Sequence, residues 1–349
     1  MKQFLHLLIS LIIISGLTAC QDAVFDSEGD CSSTYRLHLS YTRNLQWADA
    51  FPAEVTNVGV YAFNTDGSLA WAGSQSADRL HDNGNCIDLP LDPGTYDIIV
   101  WCGGKSLESA AHSWTLDGGE NIATKAHLNC RLATTVANDG SRIADSDIHR
   151  LYHGSIDRAV MPDEPGTHNY DIDLTKDTNF IRVVLQHADG EPVNPQWFTF
   201  AITDTNGALD HTNSTSEAVP VTYRPWAITT AETELPDPDN VATGSRATTQ
   251  ISSVIADMTT SRLVKGNRPT IEIQCTEPGN EHLVARLDLI SYFLMIKGSA
   301  NRHIEDQDFL DRQDDYTMML ILDNNNRWNL KLGLYINSWR IVKQDAVLQ

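Results

Sequence analysis

The sequence predicts an all-β chain of two tandem β-sandwiches, on three observations. Apolar and polar residues alternate over many short segments, the period of a strand with one buried face. Turn signals rich in Gly, Pro, Asn and Asp separate those segments, and few stretches carry a helical repeat. The length of 349 residues exceeds one small core and suits two domains of ~150 residues each.

In chain order, Tyr35, Leu37, Leu39 and Tyr41 alternate with Arg36, His38 and Ser40 and predict the first strand. Val58, Val60 and Ala62, with the aromatic pair Tyr61 and Phe63, predict the second. It closes at Asn64-Thr65-Asp66-Gly67, a tight turn in which Gly67 takes positive φ. Leu69 and Trp71 begin the return. Leu89-Pro90-Leu91-Asp92-Pro93-Gly94 is a further turn, after which Tyr96, Ile98, Val100 and Cys102 alternate. Residues 161–167, rich in Pro and acid and without an apolar pattern, predict a linker between an N-terminal sandwich, 31–160, and a C-terminal one, 168–349.

Beyond the linker, Tyr170, Ile172 and Leu174 resume the pattern, followed by Phe180-Ile181-Arg182-Val183-Val184-Leu185. Phe198, Phe200 and Ile202 predict another strand, closed by the hairpin turn Asp204-Thr205-Asn206-Gly207. Residues 232–247, with Pro236 and Pro238, read as a long exposed loop, and 290–296 fit a short helix or a continued strand equally. The chain ends in a predicted hairpin. Tyr316, Met318, Leu320 and Leu322 lead to a turn at 323–326, and Trp328, Leu330, Leu332, Leu334 and Ile336 return on one face.

The N-terminus reads as a targeting segment. Lys2 precedes an apolar run from Leu5 to Ile14, and Leu17-Thr18-Ala19-Cys20 follows. The run is too short to span a bilayer as a helix, which takes about 20 residues. Its end resembles the bacterial lipobox, so residues 1–19 are expected to be a signal peptide and Cys20 the lipid attachment site. Residues 20–30 then form an acidic tether carrying Asp22, Asp26, Glu28 and Asp30. Acidic residues just after a lipid cysteine resemble a signal for export to the outer face of the outer membrane in Bacteroides-type bacteria; a plain solvated tether is the alternative.

Without Lys2 the chain carries 24 basic and 46 acidic residues, a formal charge of −22. Such a surface repels phosphate backbones, which excludes nucleic acid as a partner, and leaves acyl chains as the means of membrane attachment. Cys31, Cys86, Cys102, Cys130 and Cys275 remain after Cys20, an odd number with no zinc-ligand spacing. Any disulfide would staple the first domain, for example Cys31 to Cys130; the connectivity is open.

The candidate chemistry is thin. Asp204-Thr205-Asn206-Gly207 lacks calcium-loop spacing, with Thr215 where a Glu would stand. Asp306, Asp308, Asp311, Asp314 and Asp315 form an acidic cluster, read as a solvated turn in which Arg312 pairs locally. His149 and His153 have the spacing of a helical metal pair but lack the accompanying Glu. No nucleophile elbow or phosphate loop occurs, so no catalytic, metal or cofactor-binding residue is expected. Trp71, Trp101, Trp197, Trp226 and Trp339 could line a carbohydrate site or fill sandwich cores.

A set of segments resembles the FimB-type fimbrial anchor and accessory lipoproteins of the type V pili of Bacteroides-type bacteria. They are Val58-Gly59-Val60-Tyr61-Ala62-Phe63, Asp66-Gly67, Leu91-Asp92-Pro93-Gly94-Thr95-Tyr96 and Trp101-Cys102-Gly103. In the second half they are Asp177-Thr178-Asn179, Ile202-Thr203-Asp204-Thr205-Asn206-Gly207, Phe309-Leu310-Asp311-Arg312-Gln313-Asp314-Asp315-Tyr316 and Asn337-Ser338-Trp339. The resemblance implies tandem transthyretin-like sandwiches and a lipid-anchored, non-enzymatic fimbrial subunit at the outer membrane. Its partners would be shaft or accessory subunits, met by strand exchange. A carbohydrate-binding surface lipoprotein is the alternative.

Overall fold

The computed structural model describes residues 32–103, 113–117, 122–215, 218–236 and 248–341; Cys20, Cys31 and the tether lie outside them. The chain is all-β, as its alternation predicts, and its strands pack as two sandwiches. In the first, a three-stranded sheet ordered Gly166–Asp173, Ser33–Ser40, Cys86–Leu89 packs on a five-stranded sheet. The latter is ordered Thr175–Lys176, Leu151–Met161, Gly94–Gly103, Asn57–Asn64, Leu69–Ser76. Leu37, Leu39 and Ile172 from one sheet meet Val58, Val60, Ile98 and Val100 from the other in a single apolar cluster. Gly67 has φ of 85°, as its turn requires.

The second sandwich has two six-stranded sheets. One runs Ala227–Pro236, Thr248–Ser261, Thr178–His187, Asp315–Leu322, Leu334–Ile336, Trp339–Ile341; the other runs His282–Asp288, Thr270–Cys275, Phe198–Asp204, Val221–Tyr223, Arg142–Ala144, Thr135–Val136. Ile181, Val183, Leu185, Met318 and Leu320 meet Phe200, Ile202 and Ile271 between them. A small sheet of Ala208–Leu209, Cys130–Leu132 and Trp114–Leu116 adjoins this core.

The two cores partition the chain differently from a cut at 161–167. Gly166–Asp173 pairs in parallel with Ser33–Ser40, and Tyr35 Oη and Ser33 Oγ donate to the carbonyls of Pro162 and Glu164 at 2.7 and 2.8 Å. The Pro-rich segment is therefore a turn within the first sandwich. Trp114, Leu128, Cys130, Leu132 and Ile148 lie in one apolar cluster with Phe63, Ile99 and Trp101 of the five-stranded sheet and with the core of the second sandwich. The chain crosses for good at Asp177, between Thr175–Lys176 and Thr178–His187.

Other local expectations change for identifiable reasons. Asp204-Thr205-Asn206-Gly207 is no hairpin turn: it carries the chain from Phe198–Asp204 to Ala208–Leu209 in a different sheet. Residues 232–236 continue the edge strand Ala227–Pro236, paired with Thr248–Ser261, while 237–247 lie outside the described residues. Residues 290–296 are helical, in Leu289–Phe293 and the 3-10 turn Leu294–Lys297. The Asp288 carboxylate caps the helix by accepting from Ser291 N at 3.2 Å. In the last hairpin, Leu334–Ile336 pairs with Met318, Met319 and Leu320, but 329–333 loop out and leave Leu330 72% exposed. Trp328 Nε1 closes that loop on the Gly333 carbonyl at 3.2 Å. Cys86, Cys102, Cys130 and Cys275 are free thiols, so no disulfide among the described residues staples the first domain.

Candidate functional site: the charged seam between the sandwiches

The crossing point is a run of five buried polar residues, Thr175 to Asn179, in a chain whose buried residues are otherwise mostly apolar. Burying such groups is tolerated only when they find partners. Lys176, 8% exposed, donates to Asp314 and, at 3.1 Å, to Glu54 of the short helix Phe51–Glu54. Glu54 also accepts from Tyr152 Oη at 2.6 Å and lies 3.3 Å from Arg150. Burial alone would raise the Glu54 pKa, but the Tyr152 hydroxyl, Lys176 and Arg150 outweigh it and hold the carboxyl below its ordinary value.

Asp177 opens the second knot. It is fully buried; its Oδ1 accepts from Asn213 Nδ2 at 2.8 Å and lies 3.9 Å from Arg262 Nε. Arg262 forks onto Asp311 of helix Asp306–Arg312 at 2.8 and 2.7 Å, and donates a further bond to the Asn213 carbonyl. Gln307 Nε2 braces Asp311 at 2.8 Å. Asn206 Nδ2 donates to the Arg262 carbonyl at 3.0 Å, and Asn206 Oδ1 accepts from Tyr223 Oη at 2.6 Å. Burial pushes the Asp177 carboxyl up to about 8, against the pull of Arg262 and Asn213. One guanidinium thus serves two buried carboxylates, and burial biases Asp177 toward its protonated form.

A third set of contacts joins loop 42–47 of the first sandwich to the same helix. Asp308 accepts from Arg43 Nη2 and Arg312 Nε, both at 2.9 Å. The Arg312 guanidinium lies 4.3 Å from the Trp47 ring centroid, and Trp47 stacks on His303 at 6.4 Å. Arg312 does pair locally with Asp308, but the acidic cluster as a whole is a helix and seam rather than a solvated turn.

The segments quoted for the family resemblance converge here: Asp177, Asn206 and Asp311 all bond to Arg262 or to its binding partners. Arg262, Asn213, Glu54 and Lys176 were missed in the sequence. The legible signal was the polar run 175–179 between two apolar strands; nothing local marks Arg262 as its counterpart. Cys20 lies outside the described residues. His149 and His153 share no helix, and His153 sits in Leu151–Met161 with Nε2 3.1 Å from the His211 carbonyl. Among the described residues no group of three or more His, Cys, Asp or Glu could hold a metal ion. Of the five tryptophans, Trp101 is buried and Trp71 and Trp197 are half-buried. Trp226 and Trp339 are exposed at opposite edges of one six-stranded sheet, so they form no common sugar platform. No helix among the described residues is long and apolar enough to cross a membrane.

Comparison with known proteins agrees with this architecture. The family model of fimbrillin-A associated anchor proteins Mfa1 and Mfa2 matches residues 27–345. A proposed adhesin from Bacteroides thetaiotaomicron superposes with TM-score 0.72 at 25% identity, covering 90% of this chain and 99% of that one. The fimbrial anchor protein Mfa2 from Porphyromonas gingivalis superposes with TM-score 0.62 at 18% identity, covering 89% and 99%. A protein of B. thetaiotaomicron described as a proposed polysaccharide binder shares the fold at TM-score 0.71 and 21% identity, covering 90% and 99%. No curated protein matches the chain. With the family model spanning both sandwiches and the seam that joins them, the chain belongs to the family of fimbrillin-A associated anchor proteins.

Proposed function

We propose that this fimbrial protein is anchored through lipid on Cys20 and tethers or terminates a fimbrial shaft at the outer surface of the outer membrane. The observation that carries the proposal is the family match over 27–345, which begins just after the lipobox-like Leu17-Thr18-Ala19-Cys20. The acidic residues 20–30 serve as the tether. Contact with shaft or accessory subunits runs through sheet edges by strand exchange, where backbone groups of an edge strand recruit a partner strand. The ten-residue strand Ala227–Pro236 is such an edge among the described residues.

The test is Cys20→Ala in cells fed labelled fatty acid. The expected result is loss of label and of membrane partitioning, with fimbriae shed into the medium and an unchanged melting curve for the purified protein. Retained label and membrane partitioning would overturn the anchor. Lost label with fimbriae still attached would leave a lipoprotein without the tethering role.

A further inference from the structure

Where the outer face of the strand Thr178–His187 meets the first sandwich, a cleft of about 630 Å³ opens. That size lies in the ~300–1,000 Å³ range of ligand sites. Phe180 forms the floor, flanked in register by Thr259 on one neighbouring strand and Asp315 on the other. Trp226, at the mouth of the edge strand, donates its indole N–H to Thr259 Oγ1 at 3.2 Å and tilts at 49° to Phe180, 6.4 Å away. The helix Phe51–Glu54 and residues 147–150 form the rims.

The charges in the cleft are unevenly committed. Lys176 is taken by Glu54 and Asp314, and Arg150 by Glu54. Asp315 has no ion pair among the described residues, and Asp147 accepts only from Thr259 Oγ1, at 3.2 Å. Burial and the neighbouring Asp314 raise the Asp315 carboxyl above its ordinary value against the weaker pull of Arg182 and Lys176, neither of which pairs with it. Independently, Thr178, 3% exposed and lining the cleft, has an Oγ1 with no hydrogen-bond partner among the described residues. Such a buried orphan calls for a partner.

What the cleft still offers is therefore mainly acceptor oxygens and the Trp226 ring. A sugar needs donors as well as acceptors, and here the Trp226 N–H and Lys176 are already engaged. A guanidinium is planar, carries five donors and no acceptor, forks onto carboxylates and stacks on aromatic rings. Phe180 already takes one: the Arg182 guanidinium lies 5.4 Å from its centroid. We propose that this cleft receives an arginine-bearing peptide segment of another fimbrial subunit, held by Asp147, Asp315 and Thr178 against Trp226. The source of the peptide rests on the fimbrial reading; the chemistry of the cleft does not.

The test is calorimetric titration of the purified protein with triarginine, with triglycine and maltotriose as controls. Triarginine should bind, more weakly as salt rises, and triglycine and maltotriose should not. Asp147→Asn with Asp315→Asn should weaken binding by about tenfold or more, and Thr178→Val by roughly threefold to tenfold. No triarginine binding, unchanged affinity in the double variant, or binding of maltotriose in its place would overturn the inference. The wild-type peptide comparison decides even if a variant misfolds. If triarginine fails while shaft protein still copurifies with the chain, the cleft inference falls alone. If triarginine binds and no fimbrial protein copurifies, the fimbrial reading falls and the cleft stands.

Discussion

Two knots join the sandwiches through the same helix, Asp306–Arg312, and they are near mirror images in charge. In the inner knot one arginine, Arg262, faces two carboxylates, Asp177 and Asp311, whose side chains are 0% and 3% exposed. In the outer knot one carboxylate, Asp308, 25% exposed, faces two arginines, Arg43 and Arg312. Surplus charge meets different fates in the two places. The outer knot reaches water through Arg43 and Asp308, 34% and 25% exposed, which screens its extra cation. The inner carboxylates are almost wholly buried, and burial pushes the extra one, Asp177, up to about 8, toward its neutral form. Stoichiometry that is harmless at the surface becomes a pH-dependent term inside.

The largest way to test that contrast is to remove the inner cation. Arg262→Met leaves Asp311 buried without its fork and Asp177 without its neighbour. Breaking a buried pair from one side costs about 3–5 kcal/mol. At ~2–4 °C per kcal/mol for a domain of this size, the second sandwich should melt roughly 10 °C lower by calorimetry. A loss within ~1 kcal/mol would mean that water enters the seam and that the two knots are alike.

A smaller effect, with a definite sign, comes from Asp177→Asn. The carboxyl titrates near 3.8 when unfolded and at about 8 when folded, so between those values the folded state binds the extra proton. Its contribution to stability is fully present below about pH 4 and is lost as pH rises through about 8, by up to ~1.4 kcal/mol per pH unit before relaxation. Asn cannot ionise and keeps an oxygen for Asn213. The variant should therefore gain on the wild type as pH rises from 4 to 8, shown by denaturant midpoints at several pH values. A parallel pair of curves would show that Asp177 is ionised throughout and fully neutralised by Arg262.

Cutting the chain sharpens the comparison between cores. If 161–167 were an exposed linker, limited proteolysis would separate two resistant pieces there. With Gly166–Asp173 paired to Ser33–Ser40, a nick in that turn should leave the first sandwich associated on a gel-filtration column and separable only in denaturant. Release of the N-terminal piece under native conditions would restore the linker reading.

How much of this could be read in advance depended on whether the controlling contact was local. Tyr35, Leu37 and Leu39, or Tyr96, Ile98 and Val100, announce their strands because alternation is a property of neighbours, and these residues are buried as expected. Gly67 likewise announces its turn. Pro162 to Gly166 misled because a turn and a linker share composition; the pairing that decides between them lies 133 residues away. Leu330 and Leu332 kept the strand period, but the pairing with Asp315–Leu322 passes over them, and periodicity without a partner strand leaves side chains in water. The seam was least legible. Asp177, Asp311 and Arg312 stood out as family-like segments, yet Arg262, which gives the first two their meaning, sits at the end of an ordinary strand.

The smallest effect is expected in the outer knot, at Trp47. Its ring is 55% exposed and lies over the Arg312 guanidinium, whose Nε donates to Asp308 at 2.9 Å. Trp47→Ala removes a half-solvated cation–π contact worth about 0.5–1 kcal/mol and leaves the ion pair intact. Arg312→Met removes both, yet Asp308 keeps Arg43 at 2.9 Å and so is never a bare buried anion. A double-mutant cycle of the two should give a coupling of at most ~1 kcal/mol that shrinks as salt is added, because the pair is in contact with water. The inner knot, tested the same way with Arg262→Met and Asp311→Asn, should give a coupling several times larger and nearly independent of salt. Equal couplings would show that burial is not what separates the two knots; a salt-insensitive Trp47 coupling above ~2 kcal/mol would mean that the outer clasp, too, is dry.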